Sequence, residues 1–392
     1  MCNSVLMARM AIEVSYSRRQ FLQQTLQLGA AAAVMTAVPM YALAERSSCL
    51  LSARSDAAGQ HFCAGYTENG TQVFQTPVPQ RCHDIAPHPF LPCVAFVARR
   101  PGTQVYLLDS RDGRIVHTLN ARAQRHFYGH GLFAKDGSRL YLVENDTRQA
   151  GRGVVGVYRL QQEQLVFERE FATHGIEPHQ FAWLPDHSGF AIANGGVRTE
   201  ANSREAMSDV VESSLTVVNI DGSLRSRDTL TDPRASIRHV AVAQDGTLVT
   251  GQQYIFAQGN TLDDGYEPAH GGSLIAVKRP QQTLQLFPLA AAQMDGVNYY
   301  SASITVHNGL RWLAASAPRG NRLQIWHLDS AVNLLDYTLP DCAGIVAVDD
   351  GFIATSGQQS CFHARSADNT VAMQRLALPA GGWDNHLSIT YF

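Results

Sequence analysis

Seven times along the chain, at intervals of about 43 to 60 residues, a short polar cluster precedes or opens an apolar run. The clusters are Arg81-Cys82-His83, Tyr128-Gly129-His130, Glu177-Pro178-His179, Arg238-His239, Asn298-Tyr299-Tyr300, Asp341-Cys342 and Trp383-Asp384-Asn385-His386. A recurrence of this length is one four-stranded propeller blade, a unit that cannot bury its faces alone and therefore stacks in a ring. The spacing predicts an all-β, seven-bladed propeller in which the clusters face a common axial channel.

The segments between the clusters support this. Val94 to Ala98, a Pro101-Gly102 turn, Gln104 to Asp109, an Asp112-Gly113 turn and Arg114 to Leu119 read as strand and hairpin in alternation, and Asp136-Gly137, Asp221-Gly222, Asp245-Gly246 and Asp350-Gly351 repeat the turn signal. Only one strand fits after His386. The three strands missing from that blade are supplied by Ser48 to Ala53, Gln60 to Tyr66 and Gln72 to Thr76, so one C-terminal and three N-terminal strands close the ring and leave no open edge. The wide intervals around His179, His239 and Tyr300 are read as loop insertions rather than an extra blade. Ser203 to Val211 is read as a short helix within one of them.

Before the repeat stand Ser17-Arg18-Arg19-Gln20-Phe21-Leu22 and an alanine-rich run ending at Ala42-Leu43-Ala44. Paired arginines, an apolar middle and a small-x-small end describe a twin-arginine export signal over residues 1–44, ahead of a single domain over 45–392. The expected mature protein is a soluble periplasmic monomer. Six of the seven cysteines follow that segment, and an oxidising compartment predicts one or two disulfides among them. A formal charge of −3 argues against a nucleic-acid partner.

Of the 15 histidines, His83, His130, His179, His239 and His386 fall at inner-strand starts, where ring closure brings side chains together. Neutral imidazole is a common metal ligand, and imidazoles on separate strands build a site without a local motif. These five are the candidate ligands of a metal ion, iron or copper. Polar residues also stand at strand ends or beside the clusters, namely Glu144, Asn145, Asn194, Arg238, Gln252, Gln253, Arg319, Asp384 and Asn385. They are the candidate ligand-binding set on one rim. No nucleophile elbow, H-E-x-x-H or phosphate-cradling loop is present, and no catalytic residue is assigned. A metal-dependent lactonase using Glu144 and Asn194 is the alternative chemistry, and a metal-free interaction scaffold is the other.

The segments Phe127-Tyr128-Gly129-His130-Gly131, Gly175-Ile176-Glu177-Pro178-His179, Ala193-Asn194-Gly195-Gly196, Ser236-Ile237-Arg238-His239, Ala317-Pro318-Arg319-Gly320 and Trp383-Asp384-Asn385-His386 resemble the family called domain of unknown function 1513. The resemblance spans most of the chain after residue 44. It implies a periplasmic seven-bladed propeller of the quinoprotein or YVTN kind. It further implies a role beside imelysin-like and di-haem peroxidase-like proteins of iron uptake, and carries over no catalytic residue.

Overall fold

The computed structural model describes residues 48–149, 151–199, 206–255, 273–294, 297–368 and 370–391; side chains are not described at 206–210 and 291. Contacts divide the chain into a unit over residues 1–45 and a unit over Arg46–Phe392. The export-signal reading falls on residues outside the described ones.

The second unit is seven four-stranded antiparallel sheets. Six are continuous in sequence, spanning residues 82–120, 125–176, 178–228, 235–286, 303–338 and 342–375, and these are blades 1 to 6. Blade 7 is composite. Its inner strand Ser388–Tyr391 pairs with Ser48–Ser55, which leads outward to His61–Tyr66 and Gln72–Val78. The expected closure therefore occurs, in register Ser48↔Tyr391 through Leu51↔Ser388.

Why the strands read as continuous apolar runs follows from the packing. Each sheet is sandwiched between two others, so both of its faces are buried. In Cys93–Ala98 the even residues Val94 and Phe96 join Cys49, Leu51 and Cys63 of blade 7, while Ala95 and Val97 join Phe127, Leu140 and Leu142 of blade 2. The same two-faced division recurs around the ring and gives one apolar layer at each of the seven junctions between neighbouring blades. The core is thus a set of radial slabs, and the axis is left to polar side chains.

Two expectations are corrected. Ala206–Val211 is a strand, not a helix, and pairs with Val197–Thr199 as Val197↔Val211 and Thr199↔Ala206. Cross-strand hydrogen bonding overrides the weak local helical signal, as tertiary pairing commonly does. Ser203 to Glu205 lie outside the described residues. The predicted disulfides are also not formed among the described residues: Cys49, Cys63, Cys82, Cys93, Cys342 and Cys361 are free thiols. Cys63 and Cys82 come nearest, with Sγ atoms 4.0 Å apart against about 2 Å for a bond. Both belong to the apolar slab between blades 7 and 1, where they pack as small hydrophobes.

Candidate metal centre

The inner strands do not run regularly past the axis. In blade 1 the register skips one residue between Cys82 and Asp84, and in blade 3 between Pro178 and Gln180; the skipped residues are His83 and His179. Blade 4 skips Arg238 between Ile237 and His239, and in blade 2 the break from Phe127 to Gly131 contains His130. A bulge leaves its extra residue out of the ladder and re-aims the side chain. Gly129 makes one of these breaks possible. Its φ of +105° suits glycine, and a β-carbon there would meet His83 Cδ2 at 2.9 Å.

The result is a single histidine cluster. His83, His130, His179, His239 and His386 are all between 0% and 8% exposed. Rings from blades that are not neighbours touch: His130 lies 4.6 Å from His386 and 6.2 Å from His239, and His83 lies 5.8 Å from His179, centroid to centroid. Such contacts are possible only across the axis. His130 is the hub, with His83 at 4.9 Å and His179 at 5.2 Å completing its contacts to the other four. Two triads, His83–His130–His386 and His130–His179–His239, each present ligand atoms that lie within 4.8 Å of one another.

Their outer nitrogens are held by groups on other blades. His130 Nδ1 lies 2.9 Å from Asp84 Oδ2, His239 Nδ1 3.1 Å from Gln180 Oε1, and His83 Nδ1 3.2 Å from Asp384 Oδ1. For His130 and His239 the partner is the residue directly after the histidine of the preceding blade. The corresponding position after His130 is Gly131, and accordingly His179 Nδ1 is buried without a partner. With Nδ1 engaged, Nε2 is left to face the axis. His130 Nε2, His239 Nε2 and His386 Nε2 are likewise buried without a hydrogen-bond partner. A carboxylate or amide on one imidazole nitrogen with the other free is the arrangement that orients histidine toward a metal.

Burial also keeps four of these rings, His83, His179, His239 and His386, neutral. Desolvation pushes the His83 pKa down to about 3, its hydrogen bond to Asp384 only partly opposing it. Desolvation, followed by repulsion among the rings, holds His179, His239 and His386 well below the ordinary histidine value. Asp384 stays ionised: burial works to raise its pKa, but the hydrogen bond it accepts from His83 and the charges of Arg81 and Arg99 outweigh it.

A pH dependence follows for the metal-free protein. Below about pH 6.5 an unfolded histidine takes up a proton while each of these four stays neutral, so stability is full above that pH and falls as the pH drops. Between pH 7.5 and 5.5 the loss should be on the order of 5 kcal/mol, at roughly 1.4 kcal/mol per histidine. Urea midpoints at the two pH values measure it. His179→Gln should remove about a quarter of the difference, and an identical difference in that variant would contradict the assignment.

The rim residues divide into two groups. Arg238, Gln253, Arg319 and Asn385 line a cavity of about 480 Å³ that His83 and His179 also line. Asp384 stands behind it, accepting from Arg81 Nε at 2.5 Å. The others lie inside blades, all but Asn145 with side-chain partners there. Glu144 accepts from Tyr158 Oη at 2.6 Å and Arg122 Nη2 at 3.0 Å, in a network that also holds Glu170, Arg125 and Asp146. Asn194 Nδ2 donates to Thr216 Oγ1, and Gln252 Nε2 donates to Thr250 Oγ1. Asn145 is buried with both its side-chain polar atoms unpartnered. Glu144, a ligand required by the lactonase alternative, belongs to no metal-holding group of histidine, cysteine, aspartate and glutamate among the described residues.

Asp84, Gln180, Arg99, Arg100, Tyr128 and Tyr300 were absent from the sequence-based site. Asp84 and Gln180 carried a usable signal, since each directly follows a channel histidine, and a bulge turns both residues toward the next blade. His126, buried with Nδ1 unpartnered on the blade 2 inner strand, gave none.

The family described as "Protein of unknown function (DUF1513)" matches residues 76–390. The chain belongs to the DUF1513 family. No curated protein matches the sequence of this DUF1513 member. Among solved structures, the periplasmic gluconolactonase of Pseudomonas aeruginosa is similar with a TM-score of 0.61 at 12% identity, over 87% of this chain and 98% of that one. The hydrazine synthase of Kuenenia stuttgartiensis gives 0.56 at 12% identity, over 83% and 95%. At such identities the likeness is one of fold.

Proposed function

We propose that this protein is a periplasmic metal-binding propeller whose axial histidine centre takes up a first-row transition-metal ion, as an accessory of iron handling. One observation carries the reading: three imidazole nitrogens, His130 Nε2, His239 Nε2 and His386 Nε2, are buried in one histidine cluster with no partner. Each such group costs about 1–3 kcal/mol when left unsatisfied, and native proteins rarely retain them without an ion or water to bind. An ion at the axis satisfies several at once.

The donor set narrows the ion. Both triads offer imidazole alone, without thiolate or carboxylate, a set suited to copper, zinc, nickel or iron(II). Copper(II) binds such a set more tightly than iron(II), so supply rather than affinity would select iron. Three ligands leave coordination positions open, and His83 and His179 are reached from the 480 Å³ cavity. The periplasmic setting and partners of the imelysin-like and di-haem peroxidase-like kinds follow from the family resemblance and form part of the proposal. The scaffold alternative explains the three Nδ1 contacts but leaves the facing nitrogens unaccounted for.

The test is metal analysis of protein isolated from the periplasm, with chelator added in a thermal scan. Protein carrying metal at about one hundred times its dissociation constant gains about 2.7 kcal/mol, so chelator should lower Tm by roughly 3–5 °C for a domain of this size. Protein that is isolated without metal, and whose Tm is unmoved by copper(II), iron(II) or zinc(II), is a scaffold.

A further inference from the structure

The mouth of the channel is far more basic than the chain as a whole. Five arginines, Arg81, Arg99, Arg100, Arg238 and Arg319, line the 480 Å³ cavity, and among the described residues Asp341 is the one carboxylate in its lining. Some of this charge is answered from behind. Arg81 pairs with Asp384, and Arg100 and Arg238 share Glu177, Arg238 Nη1 at 2.9 Å. Arg319 lies over the Tyr300 ring with its guanidinium carbon 4.6 Å from the centroid. Positive charge remains in excess.

Two further features point to a ligand. Arg99 makes no side-chain ion pair or hydrogen bond among the described residues. Tyr128, 1% exposed, lines the cavity with its hydroxyl unpartnered, and buried Arg238 has an unpartnered Nε. A buried hydroxyl and guanidinium nitrogen facing a basic cavity are donors awaiting an acceptor. Asn385, whose Nδ2 donates to Tyr300 Oη at 3.0 Å, and Gln253 supply neutral polar edges.

We infer that this cup binds a small polycarboxylate, its carboxylates received by the arginine forks and the Tyr128 hydroxyl. Planar guanidinium groups match carboxylates two bonds at a time, and donors spread around a cavity of this size favour a ligand with several carboxylates over a compact single anion. The cup and the histidine cluster meet at His83 and His179, so a seated polycarboxylate has its remaining oxygens beside the metal centre. The inference goes beyond metal binding and does not require the metal.

Calorimetric titration of citrate into metal-stripped protein tests it, with inorganic phosphate as the compact anion. Citrate should bind saturably, phosphate at least about tenfold more weakly, and Arg99→Gln should weaken citrate about tenfold or more. Tyr128→Phe should weaken it less. Arg99 makes no side-chain hydrogen bond or ion pair among the described residues, and an unchanged thermal transition in Arg99→Gln shows that the loss belongs to the site. Metal-free His130→Ala protein should retain citrate binding, which separates this inference from the metal reading. No citrate binding at millimolar concentration, equal binding by Arg99→Gln, or phosphate binding as tight as citrate would each overturn it.

Discussion

On the proposed metal-binding reading, protein carrying His130→Ala is expected to be isolated with its metal content reduced to background. His130 belongs to both candidate triads, and its ring lies between 4.6 and 6.2 Å from the other four. No other histidine of the cluster is common to both triads. Removing it breaks both, and affinity should fall by well over the roughly 10- to 100-fold typical of disturbing an outer partner. Asp84→Ala provides the graded comparison. The ring then remains but loses the acceptor 2.9 Å from Nδ1, and affinity should fall within that 10- to 100-fold range. Metal analysis, with competition against a chromophoric chelator, ranks wild type above Asp84→Ala above His130→Ala. Full metal content in His130→Ala would place the ion elsewhere.

The largest loss of stability is expected at Glu177. Its carboxylate is fully buried and serves three donors on different segments: Arg238 Nη1 at 2.9 Å, the Val197 amide at 2.9 Å, and Arg100. It ties the mouth of blade 3 to blades 1 and 4. Arg238 is itself 3% exposed, and burial already pushes its pKa down to about 10. Glu177→Ala leaves that cation buried without its counter-charge, a change that typically costs about 3–5 kcal/mol. Urea unfolding at pH 7.5 should show the loss in the midpoint. The double variant Glu177→Ala, Arg238→Met should recover a substantial part, because an uncharged side chain then occupies the site. A single variant within about 0.5 kcal/mol of wild type would mean that solvent reaches Arg238 and screens it.

The fold was legible because it is written in periodicity. Strand residues facing two slabs, aspartate-glycine turns and a repeated interval are local or quasi-local signals, and the N-terminal strands followed by arithmetic once the last blade proved short of three. The five histidines were legible for the same reason, since they share one phase of the repeat. The short helix at Ser203 to Val211 failed where local propensity was weak, and the disulfides failed because compartment chemistry says nothing about sulfur-to-sulfur distance.

Residue types at strand ends were ambiguous in a different way. Glu144 and Arg319 occupy corresponding places in sequence, yet Glu144 lies inside a network with Arg122 and Tyr158 while Arg319 lines the cup. A strand end has two faces, and pairing partners from distant segments decide which side chain is consumed within the blade.

What the chain alone determined, then, is the number of blades, the closure and the imidazoles delivered to the axis, because each depends on spacing along the backbone. Tertiary structure alone decided how those imidazoles are presented. The bulges that turn them, the Asp84, Gln180 and Asp384 groups that occupy their outer nitrogens, and the guanidinium groups from three blades that converge on the mouth all depend on neighbours brought together by ring closure. Burial at the axis, which no single blade possesses, keeps four of the rings neutral and leaves facing nitrogens without a protein partner.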